Sequence, residues 1–472
     1  MIGSLRGRPS VRRAACRASA RRLGYPPRKM PILTVRRWVD LPEPERRRIL
    51  ARSTAAIFDP GLMDGIEAIF RNVADRGDAA LVEITERFDR VRLDSGRLAV
   101  PAAEIEAAHA GLDPELLGGI REAIANSRRF NEAQLAETAV GWQREVRPGF
   151  LVGERFAPIP SAGLFVPTGK ASYPSVLCQI GTPAVVAGVP QIVVVLPPLP
   201  GSATGAVDPA TLAVARELGI ERLFRANGPA AIAALTFGTE TIPRVLKVVG
   251  PGSPAVTAAQ VLAQRYGTAT QMLCGPSESL LIADDSADPW RLAIDLLNEA
   301  EHGTDSAATL VTDSPALVTA VEAAVAEQIV GLPAIRQSAA RAALSDLGGV
   351  ILVGSIDEAV AFANLYAAEH VQIATRDPEA SLAGLRYAGE ALLGQDTPIG
   401  ASSFTIGIPA TLPTGGYARL NGGVTARTFL TSTSTARLSP EALAGLAGPT
   451  LALADHEGFP AHANAFRLRD LG

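Results

Sequence analysis

The sequence predicts an α/β protein of two doubly wound domains, each too short for a full dinucleotide-binding fold, with a helical region before them and a short helical tail after. Two series of short β-branched runs predict this, together with the chain's length. AGLFVP (162–167), QIVVVLP (191–197), RLFRA (222–226) and VLKVVGP (245–251) form the first series, separated by helix-length segments such as DPATLAVARELG. SLLIADD (279–285), ATLVTD (308–313), GVILVG (349–354), HVQIAT (370–375) and EALLG (390–394) form the second. Such alternation reads as βαβ units, because two parallel strands are joined by a crossover long enough to hold a helix. At 472 residues, 47% apolar and 19% charged, the chain exceeds one hydrophobic core and has globular composition.

Residues 1–29 carry eight Arg, one Lys and no acid, without the apolar core of a secretory signal. An organelle transit peptide has a similar look. MPILTVRRWVDLPEPERRRIL, from Met30, reads as an ordinary domain start, so residues 1–29 are expected to be a disordered extension or a misassigned start. Without those nine cations the formal charge of −4 becomes −13, which argues against a nucleic-acid partner. A helical region is expected from about Glu43 to Arg129, and a short helical tail after Ser432.

The longest apolar stretch, AVVAGVPQIVVVLPPLP, is broken by Pro190 and Gln191, so no membrane helix is expected. Cys16, Cys178 and Cys274 have no metal-ligand spacing and are too few for a disulfide framework. A soluble, cytoplasmic protein is expected, whose metal ligands, if any, are His, Asp or Glu.

Phosphate-binding motifs are weak. GLFVPTGKAS fails as a P-loop because five residues separate Gly163 from Gly169 and Ala171 replaces the magnesium-binding hydroxyl. GPGS (250–253) is better placed, at a strand end leading into a helix, where free N–H groups can hold a pyrophosphate, although this signal alone favours a plain strand-to-helix turn.

Ala-Glu-His occurs twice, as AEHG (300–303) and AEHV (368–371), in a chain with five histidines. In LAIDLLNEAEHGTD the periodicity is helical with Gly303 as the stop, so Glu299 and His302 share a face at i and i+3. That spacing suits two ligands of one metal, but by itself it favours an ion pair at a helix end. Glu369 and His370 stand where a strand begins, where neighbouring side chains alternate in direction and would do separate jobs. A histidine there suits proton transfer, and a carboxylate can activate a water; a surface pair at a strand edge remains open too.

A collinear run of blocks resembles the histidinol dehydrogenase family over residues 40–465: FVPTGKASYPSVL, AIAALTFGTETIPRVLKVVGPG, CGPSESLLIAD, EAEHGTDSAATLVT, NLYAAEHVQI, LPTGGYARLNGGVTARTF and HEGFPAH. The resemblance implies NAD-dependent oxidation of a primary alcohol through an aldehyde to a carboxylate, with zinc holding the substrate. It also implies two incomplete Rossmann-like domains in a domain-swapped homodimer. By resemblance the first domain is 61–163 plus 277–427 and the second 164–276, with 30–60 an N-terminal helical arm and 428–472 a helical dimerisation tail. His370 would be the base for the alcohol and Glu369 the activator of water. Ser175 and Ser277 match substrate-contacting serines, and His302 matches a zinc ligand. Glu457 and His462 match a pair delivered to the neighbouring subunit's site.

The departures imply a paralogue with another substrate. Glu299 replaces a zinc-binding Gln and Ser403 a zinc-binding Asp, both at positions that also face the substrate, while Pro409-Ala410 replaces Asn-His. Phe165, Ala230 and Ser253 replace the cofactor-contacting Tyr, Gln and Asn. Glu299, His302 and His462 of the partner subunit would still make a His₂Glu metal set. The expected function is therefore an NAD-dependent alcohol or aldehyde dehydrogenase with a small-molecule alcohol substrate. Histidinol oxidation in amino-acid biosynthesis and a catalytically impaired scaffold are the alternatives.

Overall fold

A computed structural model describes residues 32–52, 57–138, 141–168 and 172–469. The basic extension, residues 1–29, and residues 169–171 of the P-loop lookalike lie outside the described residues.

Two parallel sheets organise the chain. Across the five-stranded sheet lie Leu223–Arg225, Gln191–Leu196, Ser161–Phe165, Lys247–Val249 and Ala269–Thr270. Across the six-stranded sheet lie Val35–Arg37, Gly349–Leu352, Ala307–Thr312, Glu278–Ala283, His370–Ala374 and Glu390–Leu393. Val35–Arg37 apart, each sheet follows the Rossmann strand order up to its fifth strand and stops short of the sixth. The two incomplete Rossmann-like units are as expected.

Each sheet is buried on both faces. In Gln191–Leu196, Val194 and Leu196 enter one core while Val193 and Val195 enter another. In Glu278–Ala283, Leu281 and Ala283 face one way and Leu280 and Ile282 the other. This period of two on a doubly covered sheet is why the strands read as continuous apolar runs.

The helix Pro60–Asp89, capped by the Asp59 carboxylate on Leu62 N–H (2.8 Å), buries Ile66, Phe70, Val73 and Leu81 with Val193, Val195 and Leu235. Helices Ala102–Ala110 and Pro114–Thr138 cover the other face through Ile105, Ile120 and Ile124. In packing, residues 60–138 thus join the five-stranded sheet, whereas the expected boundaries grouped 61–163 with 277–427. An amphipathic pattern reveals that a helix has an apolar face, not which sheet it covers.

Two further differences concern the flanks. The arm 30–60 is not wholly helical, because Val35–Arg37 pairs in parallel with Val350–Leu352 at the sheet edge. The tail 428–472 begins as a strand, Leu430–Leu438, antiparallel to Phe150–Pro158, which also pairs with Trp142–Arg147. Helices Pro440–His456 and Pro460–Arg467 follow. No helix among the described residues is long and apolar enough to cross a membrane.

Candidate active site

Three neighbouring strands of the six-stranded sheet bring their amino ends together, with His370 in register with Ser279 on one side and Glu390 on the other. The chain just before each strand then forms the floor of a cleft of about 580 Å³. Eight of the expected site residues line it: Ser175, Ser253, Ser277, Glu299, His302, Glu369, His370 and Ser403.

His370 is buried, and its Nδ1–H donates to the Glu390 carboxylate, whose other oxygen accepts from Ser402 Oγ at 2.5 Å. This fixes Nε2 as the atom that exchanges a proton. Nε2 lies 3.8 Å from Glu369 Oε1, so the two side chains converge rather than diverge as expected. The reason is local: the strand begins at His370, and Glu369 is outside the alternation. Burial alone would lower the imidazole pKa. The bond to Glu390 and the charges of Glu369, Glu390 and Glu299 outweigh it and raise the pKa to about 10.

Glu369 accepts from Glu278 N–H at 3.1 Å. Burial raises its pKa well above the ordinary carboxylate range, with Glu299 and Glu278 adding to the rise and His370 opposing it. Glu278 is itself buried and pairs with Arg52, whose Nη2 donates to its Oε1 at 2.8 Å. The Arg52 guanidinium lies 3.8 Å from the Tyr366 ring centre and also donates to Tyr366 O at 2.8 Å. Cys274 lines the cleft, but burial, and secondarily the charge of Glu369, keeps its thiol protonated. A thiolate nucleophile is therefore disfavoured.

The first Ala-Glu-His is built differently. The helix Pro289–Ala300 ends before His302, so only Glu299 is helical and His302 stands in the turn beyond. Its backbone N–H donates to Glu299 O at 3.2 Å, and the side chains still meet, Nδ1 to Glu299 Oε1, at 3.5 Å. His302 Nδ1 also donates to the carbonyl of Asn298 at 3.1 Å. Glu299 is 1% exposed, and its Oε1 has no hydrogen-bond partner.

These two residues are suitable metal donors, but among the described residues no group of three His, Cys, Asp or Glu side chains is placed to hold an ion. Ser403, expected by resemblance to replace a zinc-binding Asp, turns its hydroxyl back to Ile399 O at 3.1 Å. Glu457 and His462 are exposed on the tail and do not line the cleft of their own chain. The expected set of Glu299, His302 and His462 is therefore not assembled within one chain, and a zinc ion does not fit the chain's own residues.

The cofactor position fits better. At the carboxyl ends of the five-stranded sheet, where its strand order reverses, a crevice of about 740 Å³ includes Phe165, Ala230 and Ser253 in its lining. This is where open α/β sheets hold ligands. Helices Gly228–Phe237 and Pro254–Ala263 begin at the crevice, each offering N-terminal N–H groups to an anion. Ser253 caps the second through Val256 N–H, at 3.4 Å. The GPGS turn needs Gly250: its φ is +142°, and a Cβ would lie 2.2 Å from Phe165 O. Crevice and cleft share Pro167, Thr168 and Ser253, so a dinucleotide in the first reaches the second.

Several site residues carry no sequence signal of their own. Glu390 opens a strand that the pattern predicts, but its pairing with His370 depends on register. Phe88, exposed at the crevice, and Asp89, which accepts from Asn227 Nδ2 at 2.5 Å, end the long helix Pro60–Asp89 like any surface pair. Arg52 and Glu278 are 226 positions apart.

A family model described as histidinol dehydrogenase matches residues 54–470. A histidinol dehydrogenase homolog of Colwellia psychrerythraea is 39% identical over 439 residues, 92% of this chain and 96% of that protein. A histidinol dehydrogenase of Methanothermobacter thermautotrophicus is 41% identical over 402 residues, 85% of this chain and 92% of that protein. The crystal structure of histidinol dehydrogenase from Elizabethkingia anophelis superposes with a TM-score of 0.86 at 32% identity, covering 93% of this chain and 98% of that one.

Proposed function

Because the chain belongs to the histidinol dehydrogenase family, we propose that it oxidises a primary alcohol through an aldehyde to a carboxylate, consuming two NAD and one water. The observation that carries this reading is Glu369 beside His370, at 3.8 Å, on the floor of a cleft continuous with the crevice. NAD, held at Phe165, Thr168, Gly228 and Ser253, would accept the hydride in both half-reactions.

In the first half-reaction the alcohol O–H proton passes to His370 Nε2 as the carbon loses its hydride, giving the aldehyde. Glu390 holds the imidazolium that forms. In the second, Glu369 takes a proton from water, whose oxygen adds to the aldehyde carbon; the hydrate then loses its hydride and becomes the acid. Burial makes Glu369 a stronger base than a surface carboxylate. Ser175 and Ser277 line the cleft and hold the substrate.

The test is NADH absorbance with a panel of primary alcohols and their aldehydes, alongside NAD binding by the purified protein. A chain that binds no NAD would favour a scaffold over an enzyme. A second reading, oxidation of L-histidinol itself, is favoured by the 41% identity to the Methanothermobacter protein. Rescue of a histidine auxotroph separates the two.

We also propose a domain-swapped homodimer, with Glu457 and His462 of the partner subunit completing each site. It is supported by the tail, which leaves Leu453, Phe459 and Leu468 exposed. Chains lacking residues 445–472 should be inactive, and mixing them with His370→Gln chains should restore part of the activity through one complete hybrid site. No recovery in verified heterodimers would assign the tail to its own subunit.

A further inference from the structure

We propose that the substrate is a primary alcohol with an apolar body, seated in a side pocket that opens off the catalytic cleft; this rests on the dehydrogenase reading above. The pocket has a volume of about 500 Å³ and shares Tyr173, Ser175, His302, Ser403 and Phe404 with the cleft. Its outer wall is one face of the helix Pro114–Thr138, where Leu116, Gly119, Ile120 and Ala123 fall at i, i+3, i+4 and i+7. Cys178 and Phe404 line it as well.

Two of its polar groups are already engaged. Ser403 Oγ donates to Ile399 O at 3.1 Å, and Arg336 donates to Glu301 O at 2.8 Å. Among the described residues, Arg336 and Glu301 are the single cation and single carboxylate of the lining apart from the histidine, and they are opposite in charge. The Cys178 thiol, pushed up to about 12 by burial, stays neutral and behaves as a small apolar group. Phe404, 58% exposed, presents an aromatic face at the mouth.

Along the helix face, Cys178 and Phe404 a charged substrate group would lose water without gaining a partner, whereas an apolar one releases water from both surfaces. A cavity of about 150 Å³ already accepts benzene. This pocket has room for a ring or for a chain of several carbons.

The test is kcat/KM, read as NADH formed, for unbranched primary alcohols from ethanol to decanol. The value should rise about fourfold per methylene, the gain from burying one such group, until the pocket is full. Gly119→Phe starts its side chain where a Cβ meets no atom within 4 Å, and so adds bulk to the pocket without disturbing the helix. It should cut the octanol-to-ethanol ratio of kcat/KM by a hundredfold or more, whereas Gly119→Ala, lacking the bulk, should keep the slope. A flat series in the parent chain, or a Gly119→Phe variant that melts normally and loses ethanol and octanol alike, would overturn the pocket and leave the dehydrogenase reading standing. No NADH from any alcohol or aldehyde would overturn both.

Discussion

The two Ala-Glu-His segments place the same three letters in opposite surroundings. At 368–370 they open a strand between two others, and the histidine is buried against the Glu390 and Glu369 carboxylates. At 300–302 they leave a helix, and the His302 side chain is 47% exposed, with Nδ1 occupied by a backbone carbonyl. Under the proposed function, burial among charges suits one histidine to proton transfer, and solvent and a helix end suit the other to holding. The tripeptide identifies neither role, because the surroundings come from strands and helices distant in sequence.

The widest way to break this contrast is to remove the buried histidine. His370→Gln should lower alcohol oxidation by about 10² to 10⁴, the range for loss of a general base. Glu369→Gln should mainly slow the conversion of aldehyde to acid. Single-turnover measurements on each half-reaction decide it: equal, small effects of both changes on both steps would remove the division of labour.

A smaller effect sharpens the same side of the comparison. Glu390→Gln deletes the charge that stabilises the His370 imidazolium but keeps its shape, so the limiting rate of alcohol oxidation, reached at pH above the midpoint, should fall about ten- to a hundredfold, as for loss of a charge-assisted hydrogen bond. The pH profile should move with it. His370 acts as a base only when unprotonated, so in the parent chain alcohol oxidation should climb with pH towards a midpoint near 10. In Glu390→Gln that midpoint should move down. The aldehyde step needs ionised Glu369, so its acid limb should lie above the ordinary carboxylate range. A single shared midpoint for both steps would mean that one group serves both.

The same His370 shift has a consequence for stability. Its folded pKa is raised above the ordinary value of about 6.5, so its contribution is complete below that pH and is lost as pH rises towards about 10. Comparing parent and His370→Gln melting temperatures at pH 6 and pH 10 checks the sign: the difference between them should shrink at the higher pH.

What the sequence makes legible follows the same physics. The nine strand runs are readable because parallel strands covered on both faces are continuously apolar and end in turn residues. Val35–Arg37 escapes the pattern because two of its three residues are arginines, one of them buried by donating to Gly348 O and Asp346 O. WQREVR escapes because every residue of that strand is exposed. In the site, Glu369 and His370 are readable as adjacent chemistry, and Phe165, Ala230 and Ser253 by resemblance. The partners that tune them are not. Glu390 depends on strand register, and Arg52 reaches Glu278 from the far end of the chain.

The smallest expected effect belongs to the exposed histidine. If Glu299 and His302 hold the substrate rather than move its protons, His302→Ala should raise KM by up to about tenfold, as for one lost hydrogen bond or ligand, and leave kcat nearly unchanged. The chain alone supplies two metal donors, so divalent metal in the full-length protein would have to depend on His462 of the partner subunit as well. Elemental analysis should then find metal lost alike from His302→Ala and His462→Ala, and a chelator should reproduce the rise in KM. Metal far below one per chain in the parent would leave Glu299 and His302 as a plain ion pair, with hydrogen bonds alone holding the substrate. A kcat loss in His302→Ala as deep as in His370→Gln would erase the distinction between the two segments, because the exposed histidine would then be taking part in the chemistry.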